Sequence, residues 1–372
     1  MCFAGETPHG VLLRIGLAYN QRPPGVDTTI DPKVVSSLHG PIDVYVEWDE
    51  PETIAAVADA LSAFGDVVRI EAVDDFAQRL ADANVDLLFN MAEGLHGPNR
   101  EAHVPAIAEF LDVPYLGSDP LTLGLTLHKA RAKDILIQRG VPTPSYLLLE
   151  SPTDLPAFDR FDRYPLFLKP AWEGSSKGIA EANLVADANA AKIRAQELLD
   201  LYDQPVLAEA YLSGDEFTIA VLGNGLEARC LPLIRYRFDV LPGDALPIMG
   251  YEAKWLWDQP GTDFEVLECP ANIDEQLAAR IRQTALAAYR ALGCRDWSRV
   301  DIRLDESGEP QVLEINPLPG VIPDPDENSC FPWAAAVSGV TYDQLIQTVT
   351  QIAWRRVSGK DLKVRPMAQV AV

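Results

Sequence analysis

The feature that most limits how this chain can fold is a pair of strand-like runs late in the sequence. They are residues 298–304 and 310–316, separated by Asp305-Glu306-Ser307-Gly308. Such runs around a short polar turn that ends in glycine read as two adjacent antiparallel strands. Residues two apart on a strand share a face, so Arg299 and Asp301 point the same way, and Asp301, Glu314 and Asn316 gather on one small patch. Hard oxygen ligands clustered in this way suit Mg²⁺ bridging nucleotide phosphates. A guanidinium beside them could stabilise a nascent oxyanion. A solvated face of an ordinary hairpin would carry the same residues, so the rest of the chain has to decide.

The length of 372 residues implies two or three lobes rather than one simple core. With 48% hydrophobic and 23% charged residues, the chain can bury a sizeable interior. Acidic residues outnumber basic ones 55 to 31, a net charge of -24, which argues against general binding of nucleic acid or anionic membranes. A local pocket of Lys, Arg and Mg²⁺ can still receive an anionic substrate. The five cysteines, Cys2, Cys230, Cys269, Cys294 and Cys330, are scattered without a paired motif, as expected of a reduced, cytoplasmic protein. The N-terminus does not read as a signal peptide, and no apolar run is long enough to predict a membrane span.

Along the first 124 residues, strand-like runs at 12–18, 67–70, 85–90 and 114–117 alternate with helical patterns at 51–64, 74–83 and 101–111. This alternation predicts an open parallel α/β sheet. Ligands of such sheets bind at the carboxyl ends of strands, which puts Asn90-Met91-Ala92-Glu93-Gly94 at the edge of a site. A helix is expected over 126–139, ending at Gly140 ahead of Pro142 and Pro144. A strand at 166–169 leads into a glycine-containing loop, and a helix follows over 186–200. From residue 205 strands dominate, at 206–208 and 216–222 and in the hairpin, with long helices at 273–292 and 342–355. The division is therefore 1–124, 125–204 and 205–372.

The loop Glu173–Gly178 sets two glycines around two serines after a strand, and its backbone N–H groups could cradle phosphate oxygens. Taken alone it also suits a plain flexible turn. Lys169, at the end of the preceding strand, is either solvated or a phosphate ligand. Glu209 and Glu216 bracket a strand-to-strand connection that could offer backbone groups to a base edge and a carboxylate to ribose hydroxyls, although each could equally be a surface charge.

These segments together resemble the ATP-grasp superfamily, and within it the D-alanine–D-alanine ligases. The resemblance runs from about residue 90 to 356 and rests on Tyr115-Leu116-Gly117-Ser118, Lys129, Lys169-Pro170 with Gly174-Ser175-Ser176 and Gly178, Leu212-Ser213-Gly214 with Glu216-Phe217-Thr218, Arg299-Val300-Asp301, and Glu314-Ile315-Asn316 with Pro319-Gly320. It implies an ATP-grasp fold of mixed α/β class, with an N-terminal parallel α/β domain, a central lid lobe and a C-terminal antiparallel-sheet lobe. Lys129 and Lys169 then resemble ATP-phosphate lysines. Glu173, Ser175 and Ser176 resemble the loop that closes over the γ-phosphate, with Ser175 also catalytic. Glu209, Leu212 and Glu216 match the adenine and ribose hinge. Asp301, Glu314 and Asn316 match the ligands of two Mg²⁺ ions, with Mn²⁺ as an alternative. Arg299 matches the oxyanion-stabilising arginine. His96, next to Gly97-Pro98, resembles a catalytic histidine near the first amino acid, and Glu101 a substrate residue. Gly320 and Ser329 resemble the second-substrate pocket.

Three departures from the family pattern concern the substrates. The N-terminal glycine-rich segment with its glutamate is missing, and Glu50 or Glu52 could replace it or simply complement a helix terminus. Tyr251-Glu252-Ala253-Lys254-Trp255 resembles a mobile lid, with Lys254 expected at both nucleotide and reaction centre and Trp255 at the substrate. The indole of Trp255 can only donate, where the family usually has tyrosine. Extra residues, including Asp324 and Asp326, separate Gly320 from Ser329. The implied activity is an ADP-forming carboxylate–amine ligase acting through an acyl-phosphate on an amino acid or a small amino-acid-containing metabolite. The alternatives are the cell-wall ligase proper or a non-catalytic ATP-binding regulator. Homodimerisation stays open.

Overall fold

The computed structural model describes residues 12–25, 45–241, 246–248, 266–324 and 329–362. The first region alternates as expected: β1 (Leu13–Tyr19), α1 (Pro51–Leu61), β2 (Gly65–Glu71), α2 (Phe76–Ala83) and β3 (Leu87–Asn90). The strands lie in the order β2-β1-β3, all parallel. Helix α1 starts at Pro51, whose missing N–H costs nothing in a first turn, and buries Ile54, Val57, Ala58 and Leu61 on one face.

Two expectations here need correction. The strand at 114–117 is a single parallel bridge between Leu88 and Tyr115. Pro114 has no N–H to extend the ladder, and Gly117 turns the chain away at φ +97. The helix at 126–139 is two helices. After α3 (His103–Phe110) come α4 (Pro120–Leu127) and α5 (Lys129–Gln138), broken at His128, whose backbone is extended at φ -85, ψ 91. The break makes Lys129 the first residue of α5.

The second sheet is formed by β4 (Tyr146–Leu149), β5 (Leu166–Pro170), β6 (Leu184–Val185) and β7 (Val206–Ala210), with α6 (Ala188–Tyr202) between the last two. Its order is β4-β7-β5-β6 and its pairings are antiparallel. Ala191, Ala195 and Leu198 of α6 pack onto Leu166, Leu168 and Ala208. Strand β7 lies past the division at 205, so this sheet reaches to Ala210.

The third sheet contains β8 (Glu216–Leu222), β9 (Arg229–Cys230), β10 (Ile234–Tyr236), β11 (Leu267–Glu268), β12 (Trp297–Leu304) and β13 (Pro310–Asn316), ordered β11-β10-β8-β12-β13 with β9 beside β8. The hairpin turn is closed by the Gly308 amide on the Asp305 carbonyl, with Gly308 at φ +79. Helix α7 (Glu275–Ala291) starts at Asp274, whose carboxylate caps Gln276 and Leu277, and packs Ile281, Ala285 and Tyr289 against Phe217, Val300 and Ile302. After α8 (Cys330–Val337), α9 (Tyr342–Ser358) returns to the first region, where Leu345, Ile346 and Val349 share a core with Ile54, Val57 and Leu61. Asp296, fully buried, joins the regions by accepting from Arg356 at 2.7 Å, Asn224 at 2.8 Å and the Gly117 amide at 2.9 Å. Among the described residues no helix is long and apolar enough to cross a membrane.

Candidate active site

A cleft of about 700 Å³ is lined by residues of all three regions. Its floor is the hairpin. Cross-strand register sets Asp301 opposite Glu314 and Arg299 opposite Asn316, and a bulge follows Asp301. On the other side of β12, Asp301 faces Thr218 of β8. Asp301 accepts from the Thr218 hydroxyl at 2.6 Å, from Arg299 Nη2 at 2.9 Å and from Asn316 Nδ2 at 3.2 Å. Burial pushes Glu314 up, but Lys129, Lys169 and Arg299 outweigh it and hold the carboxyl at about 2. Lys129 reaches Glu314 at 3.2 Å and also donates to the Glu173 carbonyl.

Lys169 and Glu209 meet across β5 and β7. Glu209 pairs in register with Phe167, two residues from Lys169 on the same face, and the ion pair closes at 2.6 Å. Lys133, one helical turn beyond Lys129, takes the other Glu209 oxygen at 2.9 Å and the Thr143 hydroxyl at 2.8 Å. Burial lowers Lys133 to about 8 against the pull of Glu209. Burial would raise Glu209, yet Lys133 and Lys169 bring it below the usual carboxylate value.

The glycine-containing loop is gripped by the first region. Glu47 holds Arg100 Nη2 at 3.0 Å and Lys177 Nζ at 2.8 Å, and Lys177 also pairs with Glu173. Arg100 donates to the Trp172 carbonyl at 2.7 Å. A Cβ at Gly174 would lie 2.4 Å from Glu47 Oε1, so a side chain there would require the Glu47 carboxylate to shift. Ser175 and Ser176 are both left-handed, at φ +49 and +61, a conformation that costs non-glycine residues energy and recurs at functional sites. Successive backbone N–H groups in such turns can form an anion-binding concavity.

The hinge between the second and third sheets contributes Tyr211, Leu212 and Glu216 to the lining. Glu216 pairs with Arg303 at 3.0 Å. Burial raises Glu216 to about 7 despite Arg303, with Asp301 adding to the rise.

The first-region wall is acidic. Glu93, in the segment that follows β3, and Glu101 both line the cleft, in keeping with a site beyond the strand ends. Burial raises Glu101 to about 7, partly opposed by Arg100. Burial and then Glu101 and Glu47 push Glu93 well up. Burial also takes Asp49 up to about 8, with Arg22 opposing. Glu50 sits at the exposed rim, paired with Arg22, and Glu52 lines the same mouth. Gly320 and Ser329 also line the cleft, with the Ser329 hydroxyl 3.5 Å from the Gly320 carbonyl.

Most residues singled out from the sequence therefore converge. His96 does not: it is exposed and absent from the lining, because the turn at Gly97, φ +88, presents Arg100 and Glu101 to the interior instead. Lys254 and Trp255 lie outside the described residues, as does Asp326. Sequence reasoning missed Glu47, Arg100, Lys133, Thr218 and Arg303. Lys133 and Arg303 were discoverable, one four residues from Lys129 on a helix and the other two residues from Asp301 on a strand.

A family model described as D-ala D-ala ligase C-terminus matches residues 136–351. The protein y4sG of Sinorhizobium fredii is 37% identical over 282 residues, covering 74% of this chain and 77% of that protein. A D-alanine–D-alanine ligase of Halalkalibacterium halodurans is 33% identical over 304 residues, covering 81% of this chain and 92% of the relative. The D-alanine–D-alanine ligase of Bacillus anthracis, solved in complex with ATP, superposes with a TM-score of 0.65 over 93% of this chain and 98% of its own, at 23% identity, which speaks to the fold. A parallel sheet followed by two antiparallel sheets around one charged cleft is thus an ATP-grasp fold, and the chain belongs to the D-alanine–D-alanine ligase family of ATP-dependent, ADP-forming carbon–nitrogen ligases.

Proposed function

We propose that the chain uses ATP to activate the carboxylate of an amino acid, or of a small amino-acid-containing metabolite, and joins it to an amine. The observation that carries this reading is the hairpin register, with Asp301 opposite Glu314, Arg299 opposite Asn316, and Lys129 bonded to Glu314. A carboxylate is a poor electrophile. Attack of its oxygen on the γ-phosphorus releases ADP and leaves an acyl-phosphate. The amine then attacks the acyl carbon, phosphate departs, and the amine gives up a proton. Phosphoryl transfer asks for positioning and charge neutralisation. Lys129, Lys169 and the backbone N–H groups of Ser175 and Ser176 would supply these to the phosphates. Glu209, Leu212 and Glu216 would hold base and ribose, and Arg299 would face the oxyanion formed at the acyl carbon.

The donor set fits Mg²⁺. Asp301 and Glu314 are adjacent carboxylates, Glu314 is held ionised, and Asn316 adds an amide. Mg²⁺ takes one or two carboxylates and otherwise phosphate and water, and Asp301 and Glu314 would be those carboxylates. When bound there it would neutralise phosphate charge. Glu173, Lys177 and Glu47 would keep the loop over the reacting atoms and exclude water.

The substrate pair differs from D-alanine with D-alanine. Asp49, Glu93 and Glu101 form the first-region wall, and Pro323 and Asp324 stand in a lengthened connection beside Ser329, where pocket shape decides specificity. The test is ADP release across pairwise panels of amino acids and small peptides with Mg²⁺, with masses of the products. AMP as the nucleotide product would remove the acyl-phosphate route. No substrate-dependent turnover with any pair would favour a non-catalytic role. D-alanyl-D-alanine as the most efficient product would establish the cell-wall reading.

A further inference from the structure

Arg303 shares a face of β12 with Arg299 and Asp301, is 4% exposed, and lines the cleft. Its guanidinium contacts four groups, three on the connection between the second and third sheets and one at Pro247. Nε donates to the Gly214 carbonyl at 3.1 Å and Nη1 to Glu216 Oε2 at 3.0 Å. Nη2 donates to the Tyr211 hydroxyl at 3.0 Å and to the Pro247 carbonyl at 2.7 Å. The cation also lies 4.8 Å from the Tyr211 ring centroid and 5.3 Å from that of Phe238, within cation–π range. Tyr211, Gly214 and Glu216 belong to the connection between the second and third sheets. Asp301, two residues from Arg303, belongs to the floor. One side chain therefore spans hinge and floor.

The pairing is also selective within Glu216. Arg303 takes Oε2, and Oε1 has no protein partner among the described residues. A planar fork with fixed donor directions can choose one carboxylate oxygen and hold the other in a set orientation. An ammonium, a point charge on a flexible stem, cannot do so. An ion pair serving stability alone gains little from burial, since apolar replacements of similar volume are often as stable. It would also have no reason to sit in the cleft wall.

We infer that Arg303 is a positioning residue for the nucleotide: it fixes the Glu216 carboxylate and the Tyr211 ring so that one free carboxylate oxygen meets the ribose hydroxyls at a constant spacing from the Asp301 floor. This rests on reading Glu216 as the ribose acceptor. The charged and titratable groups facing Glu216 are Arg303 and Asp301 on β12, Lys169 on β5 and Glu314 on β13.

The experiment is calorimetric titration of the full chain with ADP, 2′-deoxy-ADP and 3′-deoxy-ADP in MgCl₂, for wild type, Glu216→Gln, Arg303→Met and Arg303→Lys. A site built to bond a hydroxyl strongly rejects the analogue that lacks it, so wild type should prefer ADP over at least one deoxy form by about 10-fold or more. Glu216→Gln and Arg303→Met should each shrink that preference to about threefold or less, and Arg303→Lys should fall between, since it keeps the charge and loses the fork. A merely structural role would weaken all three nucleotides by one factor and leave the preference intact, which would overturn the inference. If Arg303→Met does not fold, Arg303→Lys decides: a preference equal to wild type overturns the inference, and a reduced one supports it. If Glu216→Gln keeps the wild-type preference, the ribose reading itself fails and takes this inference with it. If only the Arg303 variants keep it, the inference fails alone.

Discussion

Replacing Glu47 with glutamine should release the loop at residues 174–178. The Glu47 side chain is 6% exposed and its carboxylate is shared by Arg100 at 3.0 Å and Lys177 at 2.8 Å, whose side chains are 3% and 8% exposed. In the variant the two buried cations would keep Glu173 as their shared ion-pair partner, 3.7 Å from Arg100. Removing one partner of a buried pair costs about 3–5 kcal/mol. Glu173 remains and the amide oxygen can still accept, so the lower end, about 3 kcal/mol, applies. At about 1.4 kcal/mol per decade, the open population should rise roughly 100-fold. The readout is hydrogen exchange of the Lys177 and Ile179 amides, which bond to the Gly174 carbonyl at 2.9 Å and the Ser176 carbonyl at 3.1 Å. Local opening sets such rates, so both should exchange about 100-fold faster. Lys177→Met should have a smaller effect, because Glu47 keeps its two contacts to Arg100, and the double variant should be non-additive. Burial would raise Glu47, but Lys177 and Arg100 hold it below the usual carboxylate value. The clasp is therefore fully present above about pH 4.5 and is lost as pH falls through the lowered folded value. Exchange within threefold of wild type in Glu47→Gln would show that the clasp does not hold the loop.

Glu314→Gln should abolish ADP formation with the unfolding transition retained, checked by coupled ADP assay and circular dichroism. Arg299→Ala should keep ATP binding and lose ligation by about 100-fold or more, the scale of a lost oxyanion donor; near-normal ligation with weak ATP binding would assign it to the nucleotide instead. Stability should fall as pH rises from about 5 to 8, measured as urea midpoints. Burial raises Asp49, Glu101 and Glu216 to about 8, 7 and 7, well above the usual carboxylate range of the unfolded chain. In that window the folded state binds more protons than the unfolded, so deprotonation disfavours it; a midpoint that rises steadily over the same range would contradict the buried-acid wall.

Legibility followed the periodicity of the elements. The hairpin was readable because alternation and the Asp305–Gly308 turn specify both register and face, and that register alone brings Asp301 to Glu314. The core of β8 was likewise plain from its apolar run. The break at His128 was not, since the helical pattern runs across it and the cause is tertiary: the Lys129 amide bonds to the Ala171 carbonyl at 2.9 Å. Glu47 lies 53 residues from Arg100 and 130 from Lys177. No local signal spans such separations, so the clasp could emerge only from the folded chain.

The same distinction explains why the reaction is easier to read than its substrates. Lys129, Lys169, Glu209, Glu216, Arg299, Asp301 and Glu314 all sit on helices or strands, whose periods fix where side chains point. Phosphoryl transfer needs that regularity, because its demands are charge and spacing. Asp49, Glu93, Glu101, Gly320 and Ser329 sit on loops, short turns or a helix boundary. There direction is set by neighbours far away in sequence, and changes of length are tolerated. A scaffold arranged in this way can hold its nucleotide chemistry constant while its amino-acid walls change. On the proposed function, the connection at Pro323 and the acidic first-region wall would bear on which acid and which amine are joined rather than on how the bond is made.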